Sequence, residues 1–361
     1  MNEKQNKKSA LHEKEGIPQP ESFSASSLEK ISKSRKLQPS ATDLIAGILA
    51  HDKVALSRGI TLVESTSVTH LAKANEIING CLPYANKSVR IGITGVPGVG
   101  KSTFIEAFGK YLTSLGKKVA VLAIDPSSTI SHGSILGDKT RMEELVKDEN
   151  AYIRPSASGE TLGGVARKTR ETIILCEAAG FDTIIIETVG VGQSETAVHS
   201  MVDFFLLLKI SGAGDELQGI KRGIMEMADA IVINKADGDN INKAKLAKVE
   251  FGRALHLFPA KKSGWTPTAA TCSAITLDGI SEVWETISSY FELVKTNHYF
   301  EEKRKEQNQY WMMETINEQL KSNFYNHPEI AKLLEESKKA VQINEMSPFA
   351  AAVILLEKYF R

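Results

Sequence analysis

The fold is decided by the stretch Gly95-Val96-Pro97-Gly98-Val99-Gly100-Lys101-Ser102-Thr103, which satisfies the pattern G-x-x-x-x-G-K-[ST]. Its glycines allow the backbone to turn tightly, so that successive N–H groups point at phosphate oxygens. The Lys101 ammonium is expected to reach the β- and γ-phosphates, and the Ser102 hydroxyl to bind Mg²⁺. Residues 88–94 predict a buried strand and 103–115 an amphipathic helix, which is the order such a loop requires. The chain is therefore predicted to bind a nucleoside phosphate.

Composition excludes several classes of protein. Lys plus Arg and Asp plus Glu number 44 each, so no global field favours nucleic acid or an anionic membrane as a partner. No apolar run approaches the roughly 20 residues that span a bilayer. The N-terminus lacks an apolar signal-peptide core, so cytoplasmic localisation is expected. Cys81, Cys176 and Cys272 lie far apart, which argues against a disulfide framework or a structural zinc site.

The chain divides into four predicted parts. Residues 1–40 are polar and rich in Lys, Glu and Ser, which predicts a disordered tail. Apolar residues recur at helical spacing over 41–87, which predicts an N-terminal helical extension. Residues 88–295 alternate β-type apolar runs with helical segments, which predicts an α/β P-loop NTPase domain. Residues 296–361 are charged and helical and end in an apolar stripe, for which we expect homodimerisation, with packing onto the main domain as the alternative.

The α/β domain is predicted to contain a mostly parallel sheet flanked by helices. Seven strands are predicted, at 89–94, 119–125, 151–154, 183–187, 204–209, 231–234 and 268–272. In such sheets ligands bind beyond the carboxyl ends of the strands.

A second nucleotide signal is the stretch Asn234-Lys235-Ala236-Asp237, which follows an apolar strand. The Asp237 carboxylate can accept two hydrogen bonds from the N1–H and amino groups of guanine, and adenine lacks that pair of donors. Lys235 is expected to lie along the base and to brace the phosphate loop. The later turn Cys272-Ser273-Ala274 suits a backbone contact to the guanine oxygen, with an ordinary loop as the alternative. These stretches favour GTP over ATP.

Acidic residues end two of the predicted strands. Asp125 and Glu187 are placed to hold Mg²⁺ near the phosphate loop, with helix capping and a surface ion pair as their respective alternatives. Gln193 can orient a water molecule, although a solvent-facing glutamine is equally compatible with the sequence. Three glycine-bearing loops follow strand ends and are expected to respond to the γ-phosphate, at 126–139, 189–195 and 211–219.

Longer motifs extend these signals. They are G-V-P-G-V-G-K-S-T (95–103), D-P-S-S (125–128), G-S-I-L-G-D-K-T-R-M (133–142), T-L-G-G-V-A-R-K-T-R-E-T (161–172), E-T-V-G-V-G-Q-S-E (187–195), G-A-G-D-E-L-Q-G-I-K-R-G (212–223) and N-K-A-D-G-D-N (234–240). In this order they resemble the MeaB/MMAA/ArgK GTPases, and the resemblance runs from about residue 41 to the C-terminus.

The resemblance implies a GTPase chaperone of a coenzyme-B12-dependent acyl-CoA mutase, typically methylmalonyl-CoA mutase. Such proteins use GTP binding and hydrolysis to gate delivery of adenosylcobalamin and to protect or reactivate the mutase. The resemblance also implies a homodimer formed through the C-terminal helices. A cobalamin adenosyltransferase is a further candidate partner.

Site residues follow from the resemblance by motif. Ser102, Asp138 and Glu187 resemble the Mg²⁺-associated residues, with Asp125 nearby. The loop 212–223 resembles an additional switch that responds to the partner enzyme. The predicted catalytic residues are Lys101, Glu187, Gln193, Asp215 and Lys221, with Gln218 as a further member of the switch.

The sequence departs from the family pattern at two places, and three other functions stay open. Ser131-His132 stands where Thr-Gly is usual, and Lys209-Ile210-Ser211 replaces a more apolar lead into the additional switch. An ATPase or kinase of basic-amino-acid transport is disfavoured by 234–237. A nickel-insertion GTPase is disfavoured because the sequence shows no Cys/His cluster. A nucleotide-regulated scaffold without turnover is the third alternative.

Overall fold

A computed structural model describes residues 39–360 except 66, 125–141, 156–161, 189–193 and 213–221. Residues 41–361 form one compact unit, and nearly all of the predicted tail lies outside the described residues. The described residues include seven strands: β1 Val89–Gly95, β2 Val119–Ile124, β3 Ala151–Arg154, β4 Thr183–Thr188, β5 Phe204–Ile210, β6 Ala230–Asn234 and β7 Thr268–Thr271. Each lies within one residue of its predicted bounds, so the strand predictions are confirmed.

Helices connect and flank these strands. They are α1 Ala41–Leu49, α2 Lys53–Glu64, α3 Val68–Cys81, α4 Lys101–Ser114, α5 Glu143–Val146, α6 Leu162–Ala178, α7 Ser194–His199, α8 Arg222–Met227, α9 Ile241–Leu255, α10 Ile280–Thr296, α11 Tyr299–Tyr325, α12 Pro328–Gln342 and α13 Pro348–Tyr359. Short 3₁₀ turns occupy Leu82–Tyr84 and Gly238–Asn240.

All neighbouring strands of the sheet are parallel, in the order β3-β2-β4-β1-β5-β6-β7. Strand β1 lies between β4 and β5, so the chain leaves the centre of the sheet in both directions. Parallel strands end at one edge, and a crevice forms there where the strand order reverses. In register, Gly95 pairs with Leu208 of β5 and Ile210 pairs with Asn234 of β6. The two sequence motifs for nucleotide binding therefore lie at the same edge.

The core has two layers because the central strands are buried on both faces. Leu122 of β2 packs towards helices α1–α3, α6 and α7, whereas Val121 packs towards α4 and α10. The N-terminal helices are therefore part of the core, with Ile48 and Leu56 fully buried. Among the described residues, no helix has both the length and the apolar character that a membrane span requires.

Helices α11–α13 form a C-terminal arm. Only the first part of α11 is buried, at Arg304 and Gln307. Helices α12 and α13 pack on each other and on the end of α11, and the three border a mainly apolar cavity of about 530 Å³. Large apolar side chains of the arm are at least two-fifths exposed, at Met312, Met313, Ile316, Leu320, Phe349, Val353, Ile354 and Phe360.

A buried ionic cluster joins α11 to the sheet. The Arg304 guanidinium donates to both carboxylate oxygens of Asp203, each at 2.6 Å. Arg90 of β1 donates to Glu177 of α6 from Nε and Nη2, each at 3.0 Å. All four residues are at most 6% exposed, which places the arm's first turns inside the core.

Candidate nucleotide-binding site

The phosphate loop, residues 95–100, connects β1 to the first turn of α4. Gly100 has a φ of 90°, and a Cβ there would lie 3.0 Å from Nδ2 of Asn234. A Cβ on Gly95 would lie 2.6 Å from the carbonyl oxygen of Leu208 on the neighbouring strand. Both glycines are therefore required by close packing, which explains why the pattern demands them here.

The Lys101 side chain lies over its own loop. Its Nζ donates to the carbonyl oxygens of Gly95 at 2.8 Å and Val96 at 3.4 Å. Burial lowers the pKa of Lys101, and the carboxylates of Glu187 and Glu195 act in the opposite direction without reversing the shift. The ammonium is thus held at the sheet edge by carbonyl groups that phosphate oxygens can replace.

Two buried carboxylates face Lys101. Glu187 lies near the end of β4 beside Ile93 of β1 and is 4% exposed. Glu195 lies in the first turn of α7 and is 1% exposed. Sequence reasoning places Glu195 at the end of the predicted phosphate-responsive loop 189–195 but gives its side chain no role of its own. The structure places it in the first turn of α7, and its burial arises from the packing of that helix.

Two described side chains near the phosphate loop carry oxygen atoms of the kind that Mg²⁺ binds. No group of three or more His, Cys, Asp or Glu side chains that could hold a metal occurs within the described ranges. Mg²⁺ is usually bound by one or two carboxylates together with phosphate oxygens and water. The half-buried Ser102 and the buried Glu187 offer oxygen ligands of that kind at the sheet edge.

Asn234 connects the phosphate loop to the turn after β7. Its Nδ2 donates to the carbonyl oxygen of Val99 at 2.9 Å. Its Oδ1 accepts from the Ala274 backbone N–H at 3.3 Å and from the Cys272 thiol at 3.6 Å. Asn234 is 1% exposed, so this single amide joins the two segments from inside the protein.

Lys235 and Asp237 lie closer to solvent. The Lys235 ammonium donates to the carbonyl oxygen of Gly98 at 2.8 Å, and the residue has a φ of 57°. The half-buried Asp237 carboxylate accepts a short hydrogen bond from the Ser273 hydroxyl. Thr103 and Ala274 line one cavity of about 480 Å³ between α4 and α10. The arrangement brings the predicted phosphate and base residues onto adjoining loops.

Five predicted site residues lie outside the described residues. They are Asp125, Asp138, Gln193, Asp215 and Lys221. Gln218 and most of the three predicted phosphate-responsive loops lie there as well.

Comparison with known proteins identifies the family. A family profile described as "Methylmalonyl Co-A mutase-associated GTPase MeaB" matches residues 56–329. The chain belongs to the MeaB family. This confirms the resemblance that the motifs indicate. The match covers the N-terminal helices from within α2 and the whole of the arm's first helix.

Individual relatives of this MeaB-family chain support the same family assignment. It is 44% identical over 297 residues to "GTPase ArgK" of Escherichia coli, covering 82% of this chain and 90% of the relative. It is 44% identical over 326 residues to "Methylmalonic aciduria type A homolog, mitochondrial" of Mus musculus, covering 88% and 79%. A crystal structure of a protein named "LAO/AO transport system kinase" superposes with a TM-score of 0.71 at 36% identity, covering 89% and 98%. The chain is therefore a P-loop GTPase.

Proposed function

We propose that this GTPase is a chaperone of a B12-dependent acyl-CoA mutase, specifically methylmalonyl-CoA mutase. In this proposal GTP binding and hydrolysis gate the loading of adenosylcobalamin and protect or reactivate the mutase. The observation that carries the proposal is the match over 56–329 to a family named for its association with that mutase. The proposed place of action is the cytoplasm, and a cobalamin adenosyltransferase is a further proposed partner.

The proposed nucleotide site uses the residues at the sheet edge. Lys101 exchanges the carbonyl oxygens of its own loop for β- and γ-phosphate oxygens. Asp237 accepts hydrogen bonds from guanine, and Lys235 lies along the base. Ser102 and Glu187 hold Mg²⁺, together with the predicted ligands Asp125 and Asp138. Mg²⁺, when bound, neutralises negative charge on the phosphates.

Magnesium dependence tests this assignment of the site. GTP brings about four negative charges towards two buried carboxylates, which a single lysine cannot balance. We expect chelation of Mg²⁺ by EDTA to weaken GTP binding at least about tenfold, because the repulsion is then uncompensated. Titration of a fluorescent GTP analogue with and without EDTA measures this. An unchanged dissociation constant would contradict the proposed ligands.

The association with the mutase is tested by turnover. We expect slow GTP hydrolysis by the isolated protein and faster hydrolysis when purified methylmalonyl-CoA mutase is added, because a partner can complete the arrangement of the switch loops. Transfer of adenosylcobalamin to apo-mutase, followed by absorbance, is expected to differ between GTP and GDP. Equal turnover with and without mutase, together with nucleotide-independent transfer, would reject the chaperone proposal.

The additional switch is tested by Lys221→Ala. We expect this variant to lower the ratio of mutase-stimulated to unstimulated turnover, because Lys221 belongs to the loop that resembles the partner-responsive switch. Lys262→Ala is the matched control, since Lys262 is exposed on the loop between α9 and β7. An unaltered ratio in Lys221→Ala would remove this residue from partner coupling.

The homodimer is proposed to form through the arm. Exposed apolar side chains on α11 and α13 support an interface there. Deleting 299–361 would also remove Arg304 and Gln307 from the core, so truncation after Asn326 is the sharper test. We expect the truncated protein to bind GTP and to be monomeric by light scattering. A dimer after truncation would show that α12 and α13 are not required for the interface.

The name of the crystallised relative supports a second candidate, a kinase serving basic-amino-acid transport. Competition for bound fluorescent GDP separates the two candidates. We expect GTP to displace the probe and ATP to displace it poorly, because the Asp237 carboxylate pairs with guanine. Equal displacement by ATP would favour the kinase.

A further inference from the structure

Helix α11 holds the turn between α7 and β5, residues 200–203. Four of its side chains donate hydrogen bonds to this turn. The bonds join Lys303 Nζ to the Asp203 carbonyl at 2.8 Å, Gln307 Nε2 to the Val202 carbonyl at 2.8 Å, Trp311 Nε1 to the Ser200 carbonyl at 3.1 Å, and the Arg304 guanidinium to the Asp203 carboxylate at 2.6 Å. Three of the four consecutive residues of the turn are therefore fixed by the arm.

Helix α7 connects this turn to the phosphate site. Glu195 in its first turn is buried and interacts electrostatically with the Lys101 ammonium. Helix α7 has only six residues, a rise of about 9 Å, and its C-terminal end leads into the turn 200–203. The helix also packs tightly on β1, since a Cβ on Gly92 would lie 2.9 Å from Cγ1 of Val198. A displacement of the turn is consequently transmitted to Glu195.

The arm makes a second contact at the start of α6. A Cβ on Gly163 would overlap the carboxylate end of the Glu318 side chain, so α11 lies close to α6 here. Burial raises the pKa of Glu318, and Arg170 and Arg167 partly offset that rise, which places two α6 cations beside the same carboxylate. Gly163 lies in the motif 161–172, to which the sequence alone assigns no role.

We propose that α11 is a positioning element for GTP hydrolysis. By holding the turn 200–203 and the first turn of α6, it sets the placement of α7 and of Glu195 against Lys101. Moving the arm then changes turnover by displacing Glu195 relative to Lys101. The proposal rests on the GTPase activity and is independent of any mutase.

A double-mutant cycle tests it. In Gly163→Ala the added methyl group overlaps the Glu318 carboxylate, so this side chain loses its place between α6 and α11. We expect kcat for GTP to fall about fivefold or more, with the dissociation constant for GDP changed less than about twofold. In Glu318→Ala that carboxylate is gone, so Gly163→Ala should add less than about a twofold change to kcat. If the loss persists in the double variant, the effect is local to α6 and the proposal is overturned.

A milder variant tests the proposal if Gly163→Ala does not fold. Trp311→Phe removes the hydrogen bond to Ser200 but keeps an aromatic ring between Arg90 and Arg170, each 5.6 Å from the ring centroid. We expect a lower kcat with unchanged GDP affinity. Tyr310→Phe is the control, because that side chain is 48% exposed on the same helix. Wild-type kcat in Trp311→Phe overturns the proposal.

Discussion

Replacing Arg304 by methionine tests how firmly the buried ionic cluster joins the arm to the sheet. The variant removes both 2.6 Å bonds to Asp203 and the 3.0 Å bond to the Ser88 carbonyl. Asp203 is 1% exposed and would keep its 2.8 Å bond from the Arg90 backbone N–H. Removing one partner of a buried ion pair costs about 3–5 kcal/mol, because the other charge stays buried without compensation. Because the hydrogen bond from the Arg90 backbone remains, we expect the lower end of this range. The free energy of unfolding should fall by about 3 kcal/mol at pH 7.

The pH dependence of this loss gives an independent check. Burial raises the pKa of Asp203, but Arg304 and the other cations outweigh it, so the net shift is downward. A carboxylate with a depressed folded pKa contributes stability above its unfolded pKa, and that contribution is lost as pH falls through the folded pKa. The difference in the free energy of unfolding between the wild type and Arg304→Met should therefore become smaller below about pH 4.

Urea unfolding followed by circular dichroism measures the change in the free energy of unfolding. Lys338→Met is the control, because Lys338 contacts Glu335 at 2.7 Å on the exposed surface of α12. Exposed pairs of this kind are screened by water, so we expect the urea midpoint of Lys338→Met to match that of the wild type. A loss below about 1 kcal/mol in Arg304→Met would refute the reasoning, since the buried cluster would then behave like a surface pair.

Three further outcomes are expected. Asp237→Asn should weaken GTP binding and favour xanthosine triphosphate in relative terms in a competition assay, because Asn presents a donor where guanine also donates; a retained GTP preference would show that Asp237 does not contact the base. Burial lowers the pKa of His199 from 6.5 to about 4, so the free energy of unfolding should fall by up to about 3 kcal/mol as pH falls from 6.5 to 4. Urea titrations should show a smaller pH-dependent fall in His199→Phe, and parallel pH profiles of the two proteins would contradict this. Burial raises the pKa of Cys81 to about 11 and of Cys272 to about 12, and Cys176 is also buried, so a thiol reagent at pH 8 should label none of the three before denaturation; native labelling of any would contradict the described burial.

The sheet could be predicted from the sequence because its central strands are buried on both faces. Such strands form continuous apolar runs, as in Val119–Ile124, and turn residues or charged segments separate them. The phosphate loop and the Asn234 stretch are equally visible, since each is a contiguous pattern. Their convergence at one edge follows from the parallel order of the strands.

Features that depend on packing between distant segments could not be predicted. Nothing near Glu195 distinguishes it from a solvent-facing glutamate, and its burial depends on the close contact of α7 with Gly92. The sequence predicts a charged helical arm, yet Arg304 lies in the core because Asp203, about a hundred residues away, supplies its counter-charge. The close approach of Glu318 to Gly163 is likewise visible only in the folded chain, because the two residues lie far apart in the sequence.

The position of Asn234 has a consequence for how this GTPase could change its nucleotide. Its amide binds the phosphate loop through Nδ2 and the base-side turn through Oδ1, so the two halves of the site share one side chain. Even the isosteric Asn234→Asp would oppose a carboxylate oxygen to the Val99 carbonyl, two acceptors without a hydrogen between them. A mutation at Asn234 would therefore weaken the binding of every nucleotide alike, without changing the preference for one base. In the proposed site, a new base preference therefore has to begin at Asp237, where one recognition group can change while the phosphate loop keeps its shape.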